Sequence, residues 1–173
     1  MNGWWLLFLI VLNLILLSVF LASISLAPFV PTRKRDLERI IRLADLKPGQ
    51  IFYDLGCGSG RVVLAAAKTG SKAVGIELSW PNYIYCQMKK MLIGERRAVF
   101  KFGDFYRKDI READVVYFFG TPKGIDNKFK KMLQEGLRPG TKIISYAFPM
   151  VGWPEMIRDK PNEKEVAIYL YKV

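Results

Sequence analysis

Ile51-Phe52-Tyr53-Asp54-Leu55-Gly56-Cys57-Gly58-Ser59-Gly60-Arg61-Val62-Val63-Leu64-Ala65-Ala66-Ala67-Lys68 joins two apolar runs through a glycine-rich turn. Residues 51–55 read as a buried strand, 56–60 as a loop and 61–68 as a helix. Glycines let the chain turn sharply and let a ligand approach the backbone closely. The unit therefore predicts a nucleotide-type site at the carboxyl end of a strand. By itself it is weak, since many tight turns share this composition.

The flanking residues repeat the alternation. Strands are expected at 73–77, 98–102, 114–119, 142–148 and 166–171. Helices are expected at 33–45, 81–93 and 122–135, with Thr32 as a cap for the first and Pro81 in the first turn of the second. Pro28-Phe29-Val30-Pro31-Thr32 reads as an extended linker, because both prolines oppose helix. Lys47-Pro48-Gly49 and Leu137-Arg138-Pro139-Gly140 read as turns. Strands alternating with helices imply an α/β fold, a mostly parallel sheet with helices on both faces.

Three carboxylates strengthen the glycine loop. Asp54 ends the first strand. Glu77 ends the second, about where an acidic residue meets ribose hydroxyls in nucleotide-binding α/β folds. Asp104, after Gly103, ends the third. Each alone is more often a turn or cap residue; at three successive strand ends they converge on one sheet edge. A dinucleotide oxidoreductase is the main rival, but the pattern is GxGxG, and Arg61 stands where a third glycine would be. A pyrophosphate can use a helix N-terminus. Three carboxylates instead favour a cationic, phosphate-free ligand, which S-adenosylmethionine is.

Composition sets the limits. The 173 residues include 27 Lys and Arg against 16 Asp and Glu, a net charge of +11, and no histidine. Histidine-dependent triads, dyads and zinc sites are therefore excluded within this chain, and no metal site is expected. Two cysteines, Cys57 and Cys86, are too few for a disulfide framework, and reduced thiols are the simpler expectation. Residues 28–173 suit one core and are too few for a second catalytic domain. There are no internal repeats.

No charge occurs in residues 1–27, and Trp4 to Ala27 is apolar on every face. As a helix it would span ~36 Å, against a hydrocarbon core of roughly 30 Å. Trp4 and Trp5 suit an interfacial belt. Ser25-Leu26-Ala27 loosely resembles a signal-peptide cleavage site. No Lys or Arg precedes the run, however, and it is longer than a usual signal-peptide apolar region. Arg33, Lys34 and Arg35 follow directly, which places residues 28–173 on the cytoplasmic side of a single-pass protein. The expected organisation is a transmembrane anchor (1–27), a linker and pre-core helix (28–45) and a catalytic domain (46–173). The positive charge suits anionic lipid. Nucleic acid remains open as a partner: no dedicated RNA-binding module is present, although a basic catalytic domain can bind RNA without one.

YDLGCGSGR (53–61) with Glu77 and Gly103-Asp104 resembles the class I S-adenosylmethionine-dependent methyltransferase core. The whole chain is similar to a narrower family, the membrane-anchored protein-lysine methyltransferases of the adenine nucleotide translocase and ATP synthase c-subunit type. The match runs through PFVPT (28–32), LKPGQIFYDLGCGSGRVVLAAAK (46–68), GIE (75–77), LRPGTKIIS (137–145) and Phe148-Pro149-Met150-Val151-Gly152-Trp153. The resemblance implies a Rossmann-like class I methyltransferase sheet preceded by one transmembrane helix. It implies that Asp54, Gly56, Gly58 and Gly60 hold the methionine moiety, Glu77 the ribose and Asp104 the adenine region. Leu55, Cys57, Leu78 and Phe105 adjoin these positions. Thr32 and Phe29 of the PFVPT loop, with Phe148 and Trp153, would shape an acceptor channel for a protein lysine. Ser59 stands where the family often has Asp, and Phe119-Gly120-Thr121-Pro122 departs from the family after the fourth strand, on the acceptor side. Tyr117, Phe118, Phe119 and Tyr146 are further aromatic candidates, and Tyr117 and Phe118 read mainly as core. The competing functions are RNA or lipid methylation and non-catalytic binding of the nucleoside.

Overall fold

The computed structural model describes residues 3–27 and 29–173, without the side chains of 23–25. Met1, Asn2 and Pro28 lie outside the described residues, and with them the first positions of the expected anchor and linker. Helix α1 (Trp4–Ser25) is apolar throughout, and most of its side chains stand exposed. A 3₁₀ turn (Lys34–Asp36) leads into α2 (Leu37–Ala44), which ends on Asp45 in the left-handed region, φ 45°.

Next come β1 (Ile51–Leu55), α3 (Arg61–Ala67), β2 (Lys72–Glu77), α4 (Trp80–Ile93) and β3 (Ala98–Phe102). After a 3₁₀ turn (Phe105–Arg107) follow β4 (Val115–Phe119), α5 (Asn127–Gly136), β5 (Lys142–Tyr146), β6 (Ile157–Asp159) and β7 (Ile168–Lys172). The sheet order is β3-β2-β1-β4-β5-β7-β6; β1 to β5 run parallel, and β7 is antiparallel to both β5 and β6.

The strands are apolar on both faces because both faces are covered. Phe52 packs with Ile40 of α2, Val63 and Ala66 of α3 and Cys86 of α4. Tyr53 and Leu55 point the other way, towards Phe129 and Leu133 of α5. Helices thus cover both faces, as the alternation predicts.

The differences from the sequence reading have local causes. The helix expected at 122–135 begins only at Asn127. Thr121 Oγ1 accepts from Gly124 N at 3.1 Å, and Asp126 caps the helix by accepting from Phe129 N at 2.7 Å. The strand expected to reach Phe148 stops at Tyr146, because Ala147 adopts φ 76°. Thr32 does not cap the following turn, whose N-cap is Arg33 with no side-chain bond. The unforeseen β6 is three residues with two exposed, too short to show a pattern.

A polar knot ties α2 to the antiparallel edge. Arg39 donates to Asp36 Oδ1 at 3.0 Å, to Asp159 Oδ1 at 2.7 Å and to the Val166 carbonyl at 3.1 Å. Tyr146 donates to the other Asp36 oxygen at 2.6 Å, and Asp36 is fully buried. Removing one partner of a buried ion pair leaves a charge without compensation. Arg39→Met should therefore destabilise the protein by about 3–5 kcal/mol, read as a lower urea midpoint at unchanged slope. A loss under about 1 kcal/mol would show that water reaches Asp36 freely.

Candidate functional site

The chain runs from β1 outward to β2 and β3, then returns to place β4 on the opposite side of β1. The crevice at such a reversal is where parallel α/β sheets bind ligands. A cavity opens here, walled by the ends of β1, β2 and β4, the glycine loop and the segment after α1.

Asp54 forms its floor. The residue is 2% exposed, and among the described residues no donor bonds its carboxylate. Burial pushes its pKa well above the ordinary carboxylate value, and the neighbouring Glu77 adds to the rise. Glu77 is 5% exposed but better supplied: its oxygens accept from Gly58 N at 2.7 Å and Ser79 N at 2.8 Å. Burial raises its pKa, and these backbone donors oppose the rise. Glu77 thus holds the glycine loop against the start of α4, where the Leu78 backbone and the Asn82 side chain also support its carboxylate.

Close packing requires glycine at several positions, Gly75 and Gly58 among them. A side chain on Gly75 would sit 2.7 Å from Cys57 Sγ, so β2 can pass under the loop only as glycine. Gly58 has φ 52°, and a Cβ there would lie 2.8 Å from the Phe29 ring.

Phe29 belongs to the segment that crosses the cavity. Thr32 Oγ1 and Tyr117 Oη are 2.9 Å apart and share a hydrogen bond. Arg61 Nη1 reaches the Thr32 carbonyl at 3.3 Å. That contact gives Arg61 a role at the position where a dinucleotide fingerprint has glycine. Tyr117 is the register partner of Asp54, so both side chains leave the sheet on one face. Burial raises the Tyr117 phenol well above its ordinary pKa, so it stays neutral and is no phenolate base.

The upstream helix also contributes. Val19, Ala22 and Leu26 line the cavity, and the Leu26 carbonyl accepts from Thr121 N at 3.2 Å. A Cβ on Gly124 would lie 2.0 Å from that oxygen. Of the residues singled out in the sequence, Phe29, Thr32, Asp54 and Leu55 border the cavity, as do Gly56, Cys57 and Gly58. Glu77, Leu78 and Phe105 complete that set.

Gly60, Asp104, Phe148 and Trp153 lie outside the lining. Gly60 backs onto Phe100 and Cys86. Asp104 caps the following turn, accepting from Tyr106 N at 2.9 Å. Phe148 sits one ring behind Phe119, at 6.4 Å between centroids. Trp153 lies against α5 near Asn127 and Lys130. Phe118 packs on Phe129 on the far face of the sheet. Sequence reasoning missed Ser79, Asn82 and the α1 residues as lining, and ranked Tyr117 as core. The offset between β1 and β4 would have revealed Tyr117, but register is a tertiary fact.

A carboxyl on the cavity floor, beside a second carboxyl, suits a ligand that brings cationic and hydrogen-bond-donating groups. S-adenosylmethionine carries both a sulfonium and an ammonium, so the residues fit it.

Comparison with known proteins agrees. Residues 54–156 match the model of the ANTKMT methyltransferase domain. A protein-lysine N-methyltransferase of Saccharolobus islandicus is 33% identical over 84% of this chain and 93% of its own length. An ATP synthase c-subunit lysine N-methyltransferase of Rattus norvegicus is 32% identical over 73% of this chain, which spans 58% of that protein. A crystal structure of an RNA methyltransferase from Salinibacter ruber, in complex with S-adenosyl-L-homocysteine, superposes with a TM-score of 0.77 at 32% identity, covering 83% of this chain and 94% of that one.

Asp54 gives a signed pH dependence. Its folded pKa lies above the unfolded value of about 3.9. The stability linked to it is therefore present below that value and is lost as pH rises through the folded pKa. Asp54→Asn should make the ligand-free protein relatively more heat-stable, by a margin that grows from pH 4 to pH 8. The same variant should bind S-adenosylmethionine roughly ten- to a hundredfold more weakly, through loss of a charge-assisted bond. Thermal scans with and without ligand measure both effects, and a flat difference across pH would contradict the assignment.

Proposed function

From the premise that the chain belongs to the ANTKMT methyltransferase family, and is an S-adenosylmethionine-dependent methyltransferase of the class I Rossmann-like α/β fold, we propose that it methylates the side-chain nitrogen of a protein lysine at a membrane surface. The observation that carries this reading is the aromatic segment held across the cavity by the Thr32–Tyr117 hydrogen bond. When bound, S-adenosylmethionine supplies a methyl group on a positive sulfur, for in-line transfer to a nitrogen lone pair.

The chain's own residues bind, orient and dehydrate. Asp54 and Glu77 take the cationic and donor groups of the methyl donor. Phe29, Tyr117 and Phe119 wall the approach and exclude water. A lysine ammonium entering such an apolar passage is desolvated, which lowers its pKa and releases its proton to water. The aromatic faces then stabilise the cationic centre during transfer. Positioning supplies most of the remaining rate. Thr32 and Phe29 are the acceptor-channel residues of this proposal. Phe148 acts behind Phe119, and Trp153 lies at a distance from the cavity.

Helix α1 is long and apolar enough to cross a bilayer. With Arg33, Lys34 and Arg35 directly after it, we place the catalytic domain on the cytoplasmic side. Relatives named for the ATP synthase c-subunit and for adenine nucleotide translocase support a membrane protein as the acceptor. The second reading is RNA, favoured by the name of the Salinibacter ruber protein and by the basic charge.

The full-length protein, incubated with methyl-labelled S-adenosylmethionine and membranes from its source, should label a protein band that yields methyllysine on acid hydrolysis. Asp54→Asn should lose most of that signal at limiting donor. Label confined to RNA or to extracted lipid would overturn the lysine assignment.

A further inference from the structure

Helix α4 carries an exposed stripe of uncharged residues, with the Lys89 ammonium over the Tyr85 ring at its edge, 5.7 Å from the centroid. Trp80, Ile84, Tyr85, Met88, Met91 and Leu92 recur at helical spacing and fall within one stripe. Met88 is 59% exposed, Met91 79% and Leu92 84%. The opposite side of the same helix enters the core through Cys86. An outward face this apolar is unusual on a protein with a net charge of +11.

The placement of α4 names its partner. Trp80 N donates to Ser18 Oγ of α1 at 3.3 Å, so the start of α4 is fastened to the apolar helix. Ser18 lies seven residues before the end of α1, a depth of roughly 10 Å along the axis. Amphipathic helices at a membrane surface bury their apolar face about 5–10 Å into the boundary between headgroups and acyl chains. A span made by α1 therefore carries α4 to that depth. Lys89 and Lys90 flank the stripe, and Arg96 and Arg97 are exposed just beyond the helix, where anionic headgroups would meet them.

We propose that the outward face of α4 is embedded in the cytoplasmic leaflet of an anionic bilayer, as a second membrane element beside α1. The proposal rests on reading α1 as the span. Embedding α4 also constrains the reaction. Ser79 and Asn82, at the start of α4, wall the cavity beside Glu77. The site then opens at headgroup level, and the acceptor lysine must stand within reach of the headgroups rather than far out in solution.

Single nitroxide labels on the full chain in phosphatidylglycerol-containing nanodiscs test this. The two native thiols are buried, which keeps labelling selective. Labels replace Leu12 in α1, Met88 and Leu92 in α4, and exposed Lys131 in α5, and each labelled protein is first shown to bind S-adenosylmethionine. Power saturation then compares collisions with oxygen, which partitions into lipid, and with a water-soluble nickel chelate. The expected result is oxygen-dominated relaxation by several-fold at 12, 88 and 92, shallower at 88 and 92 than at 12, with the order reversed at 131. A label at 12 in lipid with labels at 88 and 92 as nickel-accessible as 131 would overturn the proposal and leave the span intact. Exclusion of both agents at 88 and 92, with dipolar broadening, would assign the face to a second copy and overturn it too. A nickel-accessible label at 12 with lipid-exposed 88 and 92 would instead refute the span and support α4 as a surface anchor in its own right.

Discussion

A carboxyl group sits at the end of the central strand with no donor bonded to it among the described residues, and the surrounding structure is organised around it. Desolvation makes such a group costly, and the nearby Glu77 makes it more so. Glu77 relieves its own burial by taking backbone N–H groups that include Gly58 and Ser79, and in doing so fixes the glycine loop beside Asp54. Asp54 has no such relief among the described residues. On the proposed reading, the positive and donor groups of S-adenosylmethionine meet this carboxyl, and ligand binding would then stabilise the fold.

The second constraint joins the apolar helix to that site. Leu26 is buried in the core beside Ile125, and its carbonyl holds the turn at Thr121 that precedes α5. A few residues later Thr32 meets Tyr117 and Arg61. Asp36 and Arg39 then lock the following turn and helix to β5, β6 and the stretch near Val166. The chain leaving α1 is thus fixed at three successive points across the cavity. Movement of α1 relative to the sheet has to pass through the cavity wall.

Asp54 and Glu77 are legible in the sequence as a pair, because carboxylates at successive strand ends beside a glycine loop converge on one sheet edge, and both line the cavity. Asp104 obeyed the same pattern, yet its carboxylate turns back to cap the next turn. The local competition for Tyr106 N decides its direction, and sequence spacing does not report that competition. The helix pattern extends back to residue 122, but Thr121 and Asp126 bond the backbone into a turn first. Tyr117 looked like core and is also wall, because its place beside Asp54 depends on strand register.

The sequence by itself determined the α/β alternation, the glycine loop, the two carboxylates, the apolar first helix and the family, since each is written in local pattern or in motifs whose residues are few and specific. Tertiary structure decided how these meet. It brought α1 onto the start of α4, laid Phe29 over Gly58, paired Thr32 with Tyr117 and left the α4 stripe facing outward. Those contacts join residues far apart in the chain, and their geometry follows from how the elements pack, which no local window of sequence contains.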